Sequence, residues 1–173
     1  MKRIAVLGLG NVLMGDDALG PYAVQVLEAE YELPAQVRVL DVGTPGLDLQ
    51  PYIVDLDVLI LVDTVSSTGE PGELRTYRKD EILRHPPQPR LSPHDPGVKE
   101  ALLTAEFEGT APAEVFLVGV IPASTAMRTG LSPAVQAAVP RAVEAVIEEL
   151  SRLGVRSVRR PQPRALDIWW EAS

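Results

Sequence analysis

Two carboxylates and one of the two histidines in this chain stand where an α/β sheet would bring them together: Asp17 in GLGNVLMGDD, Asp63 in VLILVDT and His94 in LSPHDPG. Two acidic side chains and an imidazole suit a borderline divalent ion such as zinc or nickel, with the remaining coordination positions left to water or substrate. Asp17 follows the apolar run Ile4 to Leu7 at a strand-to-helix turn, and Asp63 ends the run Val58 to Val62. In an open parallel sheet both turns lie at the carboxyl edge, where such folds place their ligands. His94 sits in a Pro-flanked loop ahead of a helical segment and can arrive from the side. His85, between Arg84 and two prolines, reads as an ordinary loop histidine.

The elements that must position these residues alternate between strand and helix. Ile4 to Leu7 is continuous and apolar, as a strand buried on both faces requires. Pro21 fits the first turn of a helix reaching about Tyr31, with Ala23, Val24, Val26 and Leu27 on one face. Strands are expected at Val37 to Val42, Val58 to Val62 and Val115 to Ile121, with a short helix at Gly46 to Ile53. Glu73 to Arg78 alternates like an edge strand, and Gly97 to Phe107 returns to helical spacing. Residues 85 to 97 hold Pro86, Pro87, Pro89, Pro93 and Pro96, which predicts a stiff loop. A long helix from Ser132 to Leu153 opens on Ser-Pro and stops at Gly154. The pattern predicts a three-layer α/β/α domain with a mostly parallel twisted sheet over residues 1 to 154. Residues 155 to 173 form a tail, either docked, in contact with a partner or disordered.

Gly8-Leu9-Gly10 after the first strand invites a dinucleotide-binding reading, but the third glycine of that fingerprint would fall at Leu13. Asp16 and Asp17 near the helix N-terminus would also repel a pyrophosphate. Without any function, the two aspartates would cap the helix and complement its dipole, at about 0.3 to 1 kcal/mol each. For Asp63 the ordinary reading is weaker, because a carboxylate at the end of a buried run is costly to desolvate unless paired, hydrogen-bonded or metal-bound.

Composition removes other classes. The chain has 173 residues, 46% of them hydrophobic, enough for one core. Its net charge of -8 and pI near 4.8 argue against nucleic-acid binding. The one basic cluster, Arg156, Arg159, Arg160 and Arg164, reads as a solvated tail. No cysteine is present, so disulfides, thiolate metal sites and Cys nucleophiles are out. No apolar run approaches the ~20 residues that span a bilayer, and Met1-Lys2-Arg3 leads into a strand rather than a signal peptide. A cytoplasmic protein with no membrane partner is expected.

The run Gly8 to Gly20, GLGNVLMGDDALG, resembles the N-terminal signature of the endopeptidases that mature the large subunit of nickel-iron hydrogenases. Leu40 to Thr44 (LDVGT), Leu61 to Asp63, Ser92 to His94 and Val118 to Pro122 agree in order. Position by position, the resemblance implies that Asp17, Asp63 and His94 contact the metal, with Asp17 and Asp63 the candidates for catalysis. It places Asp41, Gly43 and Thr44 beside the site in substrate recognition. Val42 stands where the family has the first glycine of an Asp-Gly-Gly-Thr segment. A β-branched residue disfavours positive φ, so this backbone is expected to be extended or the segment differently shaped.

The resemblance implies an endopeptidase that removes the C-terminal extension of a nickel-iron hydrogenase large-subunit precursor after nickel insertion. The nickel would be supplied by the substrate, with zinc or another divalent ion able to substitute. Two routes to hydrolysis stay open at this point: a metal-bound water, or acid-base work by Asp17 or Asp63 in the manner of aspartic proteolysis. The alternatives are a nickel-binding chaperone without proteolysis and, further off, a nucleotide-binding module.

Overall fold

The continuous apolar runs of the sequence become the centre of a parallel sheet, with each run buried on both faces. The computed structural model of the chain describes residues 1–43, 49–84 and 97–171. In chain order the strands are β1 (Ile4–Leu9), β2 (Tyr31–Glu32), β3 (Val37–Gly43), β4 (Val58–Thr64), β5 (Leu74–Arg78), β6 (Glu114–Val120) and β7 (Val158–Arg159). The helices are α1 (Leu19–Glu30), α2 (Gln50–Ile53), α3 (Lys79–Arg84), α4 (Val98–Glu108) and α5 (Pro133–Arg152). Among the described residues the main sheet has five strands in the order β3-β1-β4-β6-β5, parallel except for β5 on the edge.

Alternate side chains of β1, β4 and β6 enter two separate cores. Ile4, Val6, Val58, Ile60, Val62 and Val118 pack under α1 and α5, while Ala5, Leu7, Leu59, Leu61, Val115 and Leu117 pack under α2, α3 and α4. This is the three-layer arrangement that the alternation of strand and helix predicts, because a parallel strand with both faces covered has no polar side to spare.

The boundaries differ from the sequence expectation in informative places. β1 and β4 each run two residues further than their apolar runs, so Asp63 lies inside its strand, in register with Gly119 of β6. The helix expected at Gly46 to Ile53 is the short α2, residues 44–48 lying outside the described part. The loop expected at 85 to 97 lies outside it as well, apart from Gly97. α3 has no counterpart in the sequence expectation: of its six residues only Ile82 is buried, too little to mark a period.

The tail is docked along α1. β7 pairs antiparallel with β2, and the backbone N–H groups of Arg160 and Arg164 donate to the carbonyls of Glu30 and Ala29 at 2.8 Å each. Arg160 Nε donates to the Glu28 carbonyl at 3.2 Å. Arg159 pairs with Glu30 at 3.6 Å and lies over the Tyr31 ring. The basic cluster is therefore only partly solvated: the Arg160 side chain satisfies a carbonyl that the end of the helix leaves open and Arg159 pairs with Glu30, while Arg156 and Arg164 are exposed. At the other end of the tail, Trp170 is buried against Val12, Ala18, Tyr22 and Leu131, behind the turn that carries Asp17.

Candidate active site

The strand order contains one reversal that bears on function. From β1 the chain passes through α1 on one face to β3, then through α2 on the other face to β4, on the far side of β1. The connections diverge between β1 and β4, which opens a crevice outside their carboxyl ends. Asp17 lies in the 3-10 turn Gly15–Ala18 that follows β1, and Asp63 is the penultimate residue of β4. Both are buried, at 9% and 6% exposure.

Neither Asp16 nor Asp17 caps the helix they precede, in contrast to the ordinary reading of the pair. The position before α1 is Ala18, without a side-chain cap. Asp17 Oδ2 accepts the backbone N–H of Asn11 at 2.7 Å, and Oδ1 accepts the Thr64 hydroxyl at 3.1 Å. Asp16 points away into the protein. Its carboxylate accepts the N–H groups of Ala123 at 2.8 Å, Ser124 at 3.1 Å and Ser132 at 2.6 Å, and the Ser132 hydroxyl at 2.9 Å. Ser132 is the residue before α5, so the buried charge sits at the positive end of a long helix.

The backbone around Asp17 is stitched to the loop after β6 as well: Gly15 N–H donates to the Arg128 carbonyl, Asp16 N–H to that of Ser124, and Arg128 N–H to that of Leu13. Gly10 makes this turn possible. Its φ is 151°, and a Cβ there would stand 1.7 Å from the Asp17 carbonyl oxygen.

Asp63 Oδ1 accepts the N–H of Thr64 at 2.7 Å. Strand alternation turns Asp63 to the α2 and α4 side and Thr64 to the α1 side, so the tip of β4 presents a different group to each face. Asp41 pairs with Gly8 across the β3/β1 ladder at the same edge. Desolvation pushes its pKa above the usual carboxylate value, opposed by the Gly43 N–H that donates to its Oδ1 at 2.9 Å, although the residue as a whole stays open to solvent. Val42 is extended within β3, and the positive φ, 66°, falls on Gly43. The backbone at Val42 is therefore extended, as the first alternative has it, while the pairing with β1 skips this residue: Gly8 faces Asp41 and Leu9 faces Gly43, with a shift of register between them.

Of the residues singled out in sequence, Asp17, Asp63, Asp41 and Gly43 share the carboxyl edge, while His94, Thr44 and His85 lie outside the described residues. Among the described residues no three His, Cys, Asp or Glu side chains form a metal-holding group. Two carboxylates at one edge supply the oxygen donors that a divalent cation accepts. Sequence reasoning missed the structural work of Asp16, Asn11, Thr64 and Trp170. For Thr64 a signal existed, because the residue after Asp63 must face the start of α1. For Asp16 there was none, since its partners are more than a hundred residues away.

A family model described as hydrogenase maturation protease matches residues 21–149. The hydrogenase 2 maturation protease of Escherichia coli is 38% identical over 159 residues, which is 91% of this chain and 96% of that protein. The structure of the E. coli hydrogenase maturating endopeptidase HybD superposes with a TM-score of 0.83 over 91% of this chain and 98% of its own. A hydrogenase 2 maturation peptidase from a Thaumarchaeota archaeon, 34% identical, superposes with a TM-score of 0.67 over 87% of this chain and 99% of its own.

Proposed function

Since the chain belongs to the hydrogenase maturation protease family, we propose that it is the endopeptidase that removes the C-terminal extension of a nickel-iron hydrogenase large-subunit precursor once nickel has been inserted. The observation that carries the site assignment is the pair Asp17 and Asp63 at the β1/β4 crevice. Asp17 comes from the turn after β1 and Asp63 from the end of β4, and Asp17 is held through both of its oxygens.

In this reading the nickel is part of the substrate. Asp17 and Asp63, with His94 from the segment ahead of α4, offer donors to an ion that the precursor already holds. A precursor without nickel lacks that contact, and the selectivity is a difference in affinity between the two forms. Hydrolysis requires water to lose a proton as it attacks the peptide carbonyl, and a carboxylate at this edge, Asp17 or Asp63, takes it. Asp41 and Gly43, with Thr44, bind the precursor beside the scissile bond. None of the helices in the described residues is long and apolar enough to cross a membrane.

The test is incubation of the purified protein with nickel-loaded and nickel-free precursor, followed by mass measurement of the large subunit. Only the loaded form should shorten, including after chelator treatment of the enzyme alone and removal of the chelator. Efficient cleavage of nickel-free precursor once the enzyme is given zinc or nickel would refute recognition through the substrate's ion. A loaded precursor that binds and is never cut would instead point to a nickel-handling chaperone.

A further inference from the structure

Thr64 touches both candidate acids. Its backbone N–H donates to Asp63 Oδ1 at 2.7 Å, and its hydroxyl lies 3.1 Å from Asp17 Oδ1. In the second contact the hydroxyl donates and the carboxylate oxygen accepts. We propose that Thr64 is the positioning residue that sets the spacing and orientation of the Asp17/Asp63 pair, a role that rests on the assignment of these two acids to the reaction.

Thr64 is itself firmly held. It is the last residue of β4 and stays in register with Val120 of β6, and the next residue, Val65, donates its N–H to the Val120 carbonyl at 3.0 Å. The β-branched side chain restricts χ1, so a fixed backbone also fixes the direction of the hydroxyl. Asp17, by contrast, comes from a turn. Among the described residues its Oδ2 is tied to Asn11 just after β1, and its Oδ1 is tied through Thr64 alone to β4. Without the hydroxyl the carboxylate keeps one anchor and is free to rotate about it.

Strand alternation lets one residue serve two acids. The Asp63 side chain leaves β4 on the α2 and α4 side, and that of Thr64 leaves on the α1 side, where Asp17 arrives. The backbone N–H between them reaches back to Asp63. Each Asp17 oxygen accepts one hydrogen bond and retains a second lone pair, so the clamp orients this acid and leaves acceptor capacity for substrate or its ion.

The test compares Thr64→Val, which removes the hydroxyl and keeps shape and backbone N–H, with Thr64→Ser, which keeps the hydroxyl. Loss of one hydrogen bond to a charged group predicts a fall of about tenfold in kcat/KM on nickel-loaded precursor for Thr64→Val, with Thr64→Ser within about twofold of the parent. Calorimetric titration of the free enzyme with Ni(II) alone should show the same order of affinities, while the three melting temperatures stay within a few degrees. Asp17→Asn is measured beside them. If it abolishes processing and Thr64→Val matches the parent, the clamp is wrong and the acid assignment stands. If Asp17→Asn processes normally, the acid assignment is wrong and takes the clamp with it. A Thr64→Ser enzyme as impaired as Thr64→Val would also overturn the proposal.

Discussion

The carboxylate of Asp16 receives both the backbone N–H of Ser132, at 2.6 Å, and its hydroxyl, at 2.9 Å, across a sequence separation of 116 residues. This contact joins the turn after β1 to the start of α5, and Asp17 is the next residue along that turn. A buried ionised group with four donors is stable only while all four are in place.

Replacing Asp16 with Asn puts an amide NH2 among those donors. The expected cost is about 3 kcal/mol, with a melting temperature lower by roughly 6 to 12 °C for a chain of this size. Processing should fall at temperatures where the variant is still folded, because the turn beside Asp17 loosens first. Calorimetry and the cleavage assay check this together, and an unchanged melting temperature would mean that the four hydrogen bonds contribute little.

The two histidines provide a contrast that depends on sequence alone. His94→Ala should weaken divalent-ion binding and processing with the fold intact, and His85→Ala should do neither. Circular dichroism, metal titration and precursor cleavage separate the cases. Equal losses from both substitutions would show that His94 has no special part in holding an ion.

Trp170 anchors the tail behind the Asp17 turn, and its indole Nε1 is buried without a hydrogen-bond partner among the described residues. Trp170→Ala should therefore cost about 3 to 4 kcal/mol through the cavity it leaves. Trp170→Phe should cost clearly less than Trp170→Ala, since a ring still fills most of the space and no hydrogen bond is lost. Urea unfolding midpoints measure both. A Phe variant as unstable as the Ala variant would reveal a partner for the indole N–H.

Glu149 in α5 is buried, and Arg78 holds it in a fork with distances of 2.6 and 2.9 Å while Arg152 reaches it from the next turn. Desolvation raises its pKa, but the hydrogen bonds from Arg78 and Arg152 outweigh that and bring it from 4.5 to about 2. A depressed carboxylate pKa stabilises the fold fully above the unfolded value and loses that contribution as pH falls through the folded one. Glu149→Gln should thus be less stable than the parent by about 2 kcal/mol at pH 7. The gap should close as the pH falls from 4.5 towards 2. Denaturant titrations at several pH values follow it, and a constant gap over that range would place the effect in packing.

By itself, the order of apolar runs determined the parallel α/β architecture of this protein, because a strand covered on both faces must be apolar throughout and the helices between such strands must carry one apolar side. The same runs located Asp17 in the turn after the first strand and Asp63 at the end of another, where a carboxylate that closes a buried stretch must find a donor or a cation. What only the tertiary structure decided is which groups hold those acids. Asp16 finds its donors in the loop after β6 and at the start of α5, Asp17 finds Thr64 across the β1/β4 crevice, and the tail returns along α1 to place Trp170 behind the turn. Hydrophobic periodicity records how far each side chain lies from water and says nothing of partners distant in sequence. Those contacts exist only once the sheet order is set, and the order depends on the direction in which each crossover turns.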